Sequence, residues 1–314
     1  MRINLRQMEI FRLLMHIRNV TETARALHIS QPAVSSAIKE LEAHLGLPLF
    51  LRSKGGLRPT AEAHQLLPDV ERLLLQAGNI HNRAREFADA QAGSLNITGI
   101  PNLMGQLLPR AVARFNAEHP RVKIQLVGHP TTEVTTRIMQ ETMDIGFAFL
   151  PIYETGVVIE PVLETQLVCL MHPSHRLADR AALSREDLVG EVLLAQAAYT
   201  PSGLALRESE CGSAAAADSM IETNLSIAMA SLVRENLGIG ITDALVVCSP
   251  IGRDLVARPY LPETTLTLAA IYSRHRPVSR TVVRFVAAVQ KGLDEVVTEL
   301  RGRGIYAARQ LCSP

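Results

Sequence analysis

About thirty residues beginning at Thr60 place apolar side chains at spacings of three and four, and this run divides the chain. Ala63, Leu66, Leu67, Val70, Leu73, Leu74, Ala77, Ile80, Ala84 and Phe87 form one seam of a long helix, with Pro68 expected to interrupt or kink it. Such a helix, apolar along one stripe and part of no evident globular body, is expected to bury that stripe against a second copy of itself. Packing against its own domain is the competing reading. The run isolates a head of about 60 residues from a body of more than 200 residues. Length supports this division, because 314 residues exceed one ordinary domain.

Charge separates the same parts. Residues 1–60 hold nine Lys/Arg against four Asp/Glu, a net of +5, whereas residues 61–90 and 91–314 are each at −2. The near-neutral total of +1 therefore hides a basic head, which suits a polyanionic partner. With 47% hydrophobic residues, wholesale disorder is excluded. No apolar run approaches the ~18 residues of a membrane span, and the residues after Met1 do not read as a signal peptide, so a cytoplasmic protein with no membrane partner is expected. Cys169, Cys211, Cys248 and Cys312 include no C-x-x-C pair, which argues for reduced thiols rather than a zinc site or disulfides.

Within the head, Leu5, Met8, Phe11, Leu14 and Met15 predict an amphipathic helix over 5–17. Asn19 and Thr21 are capping candidates before a short helix over 21–27. Ser30 as N-cap with Pro32 in the first turn starts a third helix, which Gly46 ends. That helix turns Val34, Ile38, Leu41 and Leu45 inward and Gln31, Ser35, Ser36 and Lys39 outward. Two short helices joined by a tight turn, the second presenting small polar groups and a cation, match a helix-turn-helix that enters the major groove. Residues 49–59 read as a β-hairpin wing around Ser53–Gly56. Gln31, Pro32, Ser35 and Ser36 are candidates for base edges, beside the cap Ser30. Thr21, Lys39, Arg52, Lys54 and Arg58 are candidates for the phosphate backbone of double-stranded DNA.

The run from Asn19 to Gly46, with its Ser-Gln-Pro-Ala-Val-Ser and Leu-Glu-x-x-Leu-Gly segments, followed by Pro48-Leu49-Phe50-Leu51-Arg52, resembles the winged helix-turn-helix of the LysR-type transcriptional regulators. It departs from the usual pattern at Arg18 and Ala63, where glycine is common, and at Thr23, where alanine is common. The resemblance implies that the long helix pairs two heads in a homodimer. It also implies assembly into a homotetramer and, for an activator, contact with RNA polymerase.

Beyond a polar hinge at 91–94, strands and helices alternate, arguing for an α/β body with parallel sheets. Strands are expected at 95–100, 123–127, 143–149, 167–171, 192–195, 239–242 and 266–271. Helices are expected at 102–119, 131–141, 219–235 and 281–300. The overall expectation is α/β: a winged helix-turn-helix (1–60), a linker helix (61–90) and an effector domain (91–300), with 301–314 as a flexible tail. The resemblance implies two lobes like those of periplasmic solute-binding proteins, lobe 1 at 91–162 and 266–300 and lobe 2 at 163–265, with a small-molecule effector between them.

Ligands of open α/β sheets sit beyond the carboxyl ends of strands, where helix N-termini attract anions. Three such turns are rich in small polar residues. They supply Pro101, Asn102, Leu103 and Met104; Pro130, Thr131 and Thr132; and Thr200, Pro201 and Ser202. Phe149, Asn224, Thr242 and Asp243 follow other strands or turns and are further candidates. Several of these residues would equally serve as plain N-caps. A carboxylate is the simplest ligand. Ile221–Asn224, Gly238–Asp243, Arg258–Tyr260 and His275–Arg280 are similar to the branch of the family sensing diaminopimelate, opines and related amino acids. An ammonium group would require an acid, with Glu133, Glu222 and Asp243 as candidates.

No catalytic motif stands out. Gly238-Ile239-Gly240 is half a dinucleotide fingerprint, and His172 and His175 read as a solvated turn rather than a metal site. No enzyme activity, cofactor or metal is expected. The alternative is a small-molecule-binding protein or enzyme of solute-binding fold that uses its N-terminal helices only for assembly.

Overall fold

The computed structural model describes residues 4–53, 56–88, 93–209 and 220–310, which form two compact units, Met1–Ala88 and Asp89–Pro314. In the first unit, α1 (Leu5–Ile17), α2 (Val20–Ala26) and α3 (Gln31–Leu45) precede a hairpin of β1 (Phe50–Ser53) and β2 (Gly56–Pro59) and the helix α4 (Ala61–Ala88). Each helix start has a side-chain cap. Asn4 accepts from the Arg6 amide, Asn19 from the amides of Thr21 and Glu22, and Ser30 from that of Ala33. Thr21 is therefore a first-turn residue of α2 rather than its cap. Gly46 closes α3 in the left-handed conformation. Phe11, Leu14, Val34, Ile38, Leu41 and Leu49 form the core of the head.

Helix α4 runs unbroken through Pro68, and Thr60 caps it through a hydroxyl that accepts from the Ala63 amide. Its first half belongs to the head. Ala63 and Val70 are buried in the head core, with Leu66, Leu67 and Leu74 packed against it. The expectation that the whole seam awaits a second copy is corrected for these residues, because α1 supplies an apolar face that their spacing alone could not reveal. Leu73 and Ile80 remain exposed.

The second unit is built on one sheet path, with strand order β4-β3-β5-β12-β6-β10-β8-β9. Its elements are β3 (Ser94–Gly99), α5 (Leu107–Glu118), β4 (Lys123–Gly128), α6 (Thr131–Met139), β5 (Ile145–Phe149), β6 (Val157–Met171) and β7 (Leu183–Ser184). They continue with β8 (Leu193–Gln196), α7 (Pro201–Ser209), β9 (Met220–Thr223), α8 (Ser226–Arg234), β10 (Ile239–Asp243), β11 (Val256–Leu261), β12 (Thr265–Ser273), α9 (Arg280–Gly302) and β13 (Ala307–Arg309). Strands β3, β4 and β5 are parallel in lobe 1, as are β8, β9 and β10 in lobe 2. The central strands β5 and β10 are buried along their whole length, as strands covered on both faces require.

The 15-residue β6 joins the lobes. Its first part pairs antiparallel with β12 and its last part with β10 and β11, so it runs straight through the boundary expected at 162/163. The helix expected over 102–119 is broken into a 3₁₀ turn, Pro101–Gly105, and α5, because Gln106 leaves the helical region at φ −154°. The helix expected over 219–235 is corrected to β9 followed by α8, since Ile221–Thr223 complete a parallel ladder with β8 that helical spacing does not encode. The expected tail is ordered as far as it is described. Ile305 and Ala307 are buried, and β13 pairs with Leu163–Thr165 of β6. Among the described residues, no helix is long and apolar enough to cross a membrane.

Candidate functional site

Two surfaces concentrate the candidates. On the head, Gln31, Pro32, Ser36 and Lys39 are exposed along one side of α3, Ser35 is half-buried between them, and Thr21 and Arg58 are exposed nearby in sequence. Gln31 Nε2 donates to Ser35 Oγ at 3.1 Å and Ser36 Oγ to Glu40 at 3.0 Å, so the outward face is already ordered. Glu40 also accepts from Gln7 of α1. Glu42, read from sequence only as part of the helix, positions the wing: its carboxylate accepts from the amides of Leu49 at 2.7 Å and Phe50 at 3.0 Å. The signal was present in the Leu-Glu-x-x-Leu-Gly run, yet spacing alone could not say what the acid grips. Lys54 and the side chain of Arg52 lie outside the described residues, as do Cys211 and Cys312.

In the second unit, the three polar turns converge on one cavity of about 140 Å³ between the lobes. Lobe 1 contributes Pro101, Asn102, Pro130, Thr131, Thr132 and Phe149; lobe 2 contributes Thr200, Pro201, Ser202, Asn224 and Asp243. Leu103, Met104 and Thr242 do not line it. Leu103 is buried in the apolar core and Met104 packs over Gly99 and Gly128. Thr242 lies one residue behind the wall, its hydroxyl 3.1 Å from Ser226 Oγ. Ile100, Gln196, Tyr199, Leu225, Ser226 and Ile227 also line the cavity and were not singled out from sequence. Leu225–Ile227 were hidden inside the misassigned helix.

Helix termini dominate the polar chemistry. No side chain caps α6 at Pro130 or α8 at Leu225, so both helices lead with amides that lack intrahelical acceptors. At α7 the cap is filled: Thr200 Oγ1 accepts from the Gly203 amide at 3.1 Å while donating to Ala197 O at 2.7 Å. The floor is a buried network. Ser226 Oγ donates to Asp243 Oδ2 at 2.8 Å, the Leu245 amide to Oδ1 at 3.1 Å, and Gln196 Nε2 to Ser226 Oγ at 3.0 Å. Asn102 Nδ2 donates to Asp243 Oδ1 from the opposite lobe. Burial pushes the Asp243 carboxyl above the usual range, and these hydrogen bonds oppose that rise.

The other acids proposed for an ammonium are engaged elsewhere. Glu133 pairs with Arg137 at 2.7 Å, and Glu222 lies 3.9 Å from Arg207. Gly240 serves helix packing, since a Cβ there would come within 2.8 Å of Met229 on α8. His172 Nδ1 contacts Ser174 Oγ at 2.7 Å, and His175 Nε2 lies 3.3 Å from Glu191.

Comparison with known proteins agrees with both halves. The family model for the bacterial regulatory helix-turn-helix protein, lysR family, matches residues 5–64, and that for the LysR substrate binding domain matches residues 88–294. The chain is 28% identical over 298 residues to the transcriptional activator protein LysR of Escherichia coli K12, covering 95% of this chain and 96% of the relative. It is 30% identical over 304 residues to the regulatory protein NocR of Agrobacterium fabrum C58, with 95% and 99% covered. Over 241 residues it is 33% identical to OccR of Rhizobium meliloti, the octopine catabolism/uptake operon regulatory protein, with 77% and 80% covered. Full-length CbnR, solved in complex with its target DNA, shares the fold at a TM-score of 0.70 and 20% identity, with 92% of this chain and 100% of that one covered. A helix-turn-helix head and an α/β effector-binding domain, each matched along its length, show that the chain belongs to the LysR family of DNA-binding transcriptional regulators.

Proposed function

We propose that the protein is a ligand-responsive, sequence-specific DNA-binding regulator whose effector, a carboxylate or amino-acid-like compound, binds in the cavity between the two lobes. The observation that carries the effector reading is the convergence on one cavity of two uncapped helix N-termini and the turn Tyr199–Ser202. The likeness to OccR, the octopine catabolism/uptake operon regulatory protein, supports an amino-acid-related compound. On the head, Gln31, Pro32, Ser35 and Ser36 would read bases, while Thr21, Lys39, Arg52, Lys54 and Arg58 hold the backbone; Ser30 sets the start of the reading helix. The working parts are the winged head at 1–60, the linker helix at 61–90 and the effector domain from 91 onward. The exposed Leu73 and Ile80 of α4 support a homodimer through this helix, and two such dimers would make a tetramer. The protein works in the cytoplasm, without enzymatic activity.

A mobility-shift titration against the promoter of its own or the divergent neighbouring gene tests DNA binding, and log K should fall with log salt at about 0.9 per phosphate neutralised. A flat salt response would count against it. Calorimetric titration of the full chain with amino acids tests the effector half.

A further inference from the structure

The cavity has an uneven charge inventory. Its described lining contains no Lys, Arg or His, and Asp243 is its one acid. Two uncapped helix N-termini, on α6 and α8, are the anion-attracting groups available. Partial dipole charges suit one carboxylate. A second carboxylate would be stripped of water without a cation to face it, and a guanidinium or second ammonium would compete for the same buried Asp243. The remaining wall includes Ile100, Phe149, Leu225 and Ile227, which suit an uncharged body.

A second, independent observation concerns Asn102. This residue lines the cavity, is more than nine-tenths buried, and has a side-chain oxygen, Oδ1, with no hydrogen-bond partner, while its Nδ2 is committed to Asp243 across the lobes. A buried acceptor without a donor is costly, and a ligand N–H is the group that relieves it. The relief is available only where Asn102 and Asp243 are held together, so such a ligand would favour the joined arrangement of the lobes.

We propose that the effector is a zwitterion with one carboxylate and one ammonium on an uncharged body, and that Asn102 is the specificity-determining residue that reads the ammonium. This rests on the cavity being the effector site. The carboxylate lies at the uncapped helix N-termini. The ammonium donates to Asn102 Oδ1 beside Asp243, and the body meets the apolar wall.

The test is calorimetric titration of the full chain with L-leucine, L-methionine and L-phenylalanine, with the 2-oxo analogue of each, and with L-aspartate and L-lysine. At least one neutral amino acid is expected to bind, more than 30-fold tighter than its 2-oxo analogue and than either charged amino acid. In Asn102→Leu, and in Asn102→Ser should the first variant fail to fold, the preference over the 2-oxo analogue should fall below 3-fold. Heat from none of the neutral amino acids, equal binding of L-aspartate or L-lysine, or an unchanged preference in a folded Asn102 variant overturns the proposal. Thr132→Trp, which adds bulk to the cavity wall, distinguishes the underlying reading: ligand binding undiminished in that variant places the site elsewhere, whatever the specificity.

Discussion

Arg18 closes α1 at φ 56°, in the left-handed region that penalises a Cβ, at the position where the resembled pattern commonly has glycine. The departure was visible in the sequence; its cost lies in the backbone angle. Arg18→Gly is expected to stabilise the head by about 0.5–1 kcal/mol, read as a raised Tm. The two described cysteines carry a different consequence. Burial pushes the thiol of Cys169 up strongly and that of Cys248 up to about 12, so neither forms appreciable thiolate near neutral pH. Both should resist iodoacetamide at pH 8 in the native protein and label on denaturation, as peptide mass spectrometry will show. Labelling that tracks the native state would reject the inert reading. Sequence spacing argued for reduced thiols but did not reveal their depth. It likewise had no means of pairing Asn102 with Asp243, 141 residues apart, because that bond depends on how the lobes meet.

Elements were legible where a local rule agreed with the tertiary setting. The capped helices of the head, with Ser30 and Gly46 bounding α3, follow from side-chain chemistry within a few residues. Helical spacing failed at 219–235, where pairing of β9 with β8 outweighs it, and at Gln106, where a non-helical backbone angle separates the 3₁₀ turn from α5. Helix α7 illustrates close approach. A Cβ on Gly203 would lie 2.3 Å from the carbonyl oxygen of Ala197 and 2.6 Å from that of Gln196, so the helix start must shift to accept it. Because Pro201 and Ser202 line the cavity, Gly203→Ala should weaken effector binding at least ~10-fold in calorimetry while leaving mobility shifts of DNA near wild type. Equal effector affinity would show that the start of α7 plays no part in the site. On α4, Val70→Ala should destabilise the head by ~1–2 kcal/mol through the lost buried methyls, measured by denaturant titration.

At the scale of the whole molecule, the division into a basic head, a long helix and an α/β body was readable from charge and periodicity, whereas the two lobes of that body were implied by the resemblance alone. The use of α4 was only half readable, because one apolar stripe serves the head core first and remains exposed further along. Ile80, 69% exposed, is the discriminating position. Ile80→Glu should shift the sedimentation profile toward monomer and weaken DNA binding without lowering the stability of the head; an unchanged profile would remove α4 from the dimer interface.

The pairing of β13 with the middle of β6 also sets an order of assembly. Lobe 1 draws its strands from residues 94–166, 265–273 and 307–309, whereas β8, α7, β9, α8, β10 and β11 of lobe 2 all lie between them in the chain. During synthesis the head and the inserted lobe have their residues in hand early. Lobe 1 waits for α9 and for the strand Ala307–Arg309, close to the end of the 314-residue chain. A nascent chain stalled before residue 300 therefore carries a complete DNA-reading head and an incomplete sensor, with Leu163–Thr165 unpaired on the edge that β13 later covers. The residues of the head are thus all in hand before those of the sensor.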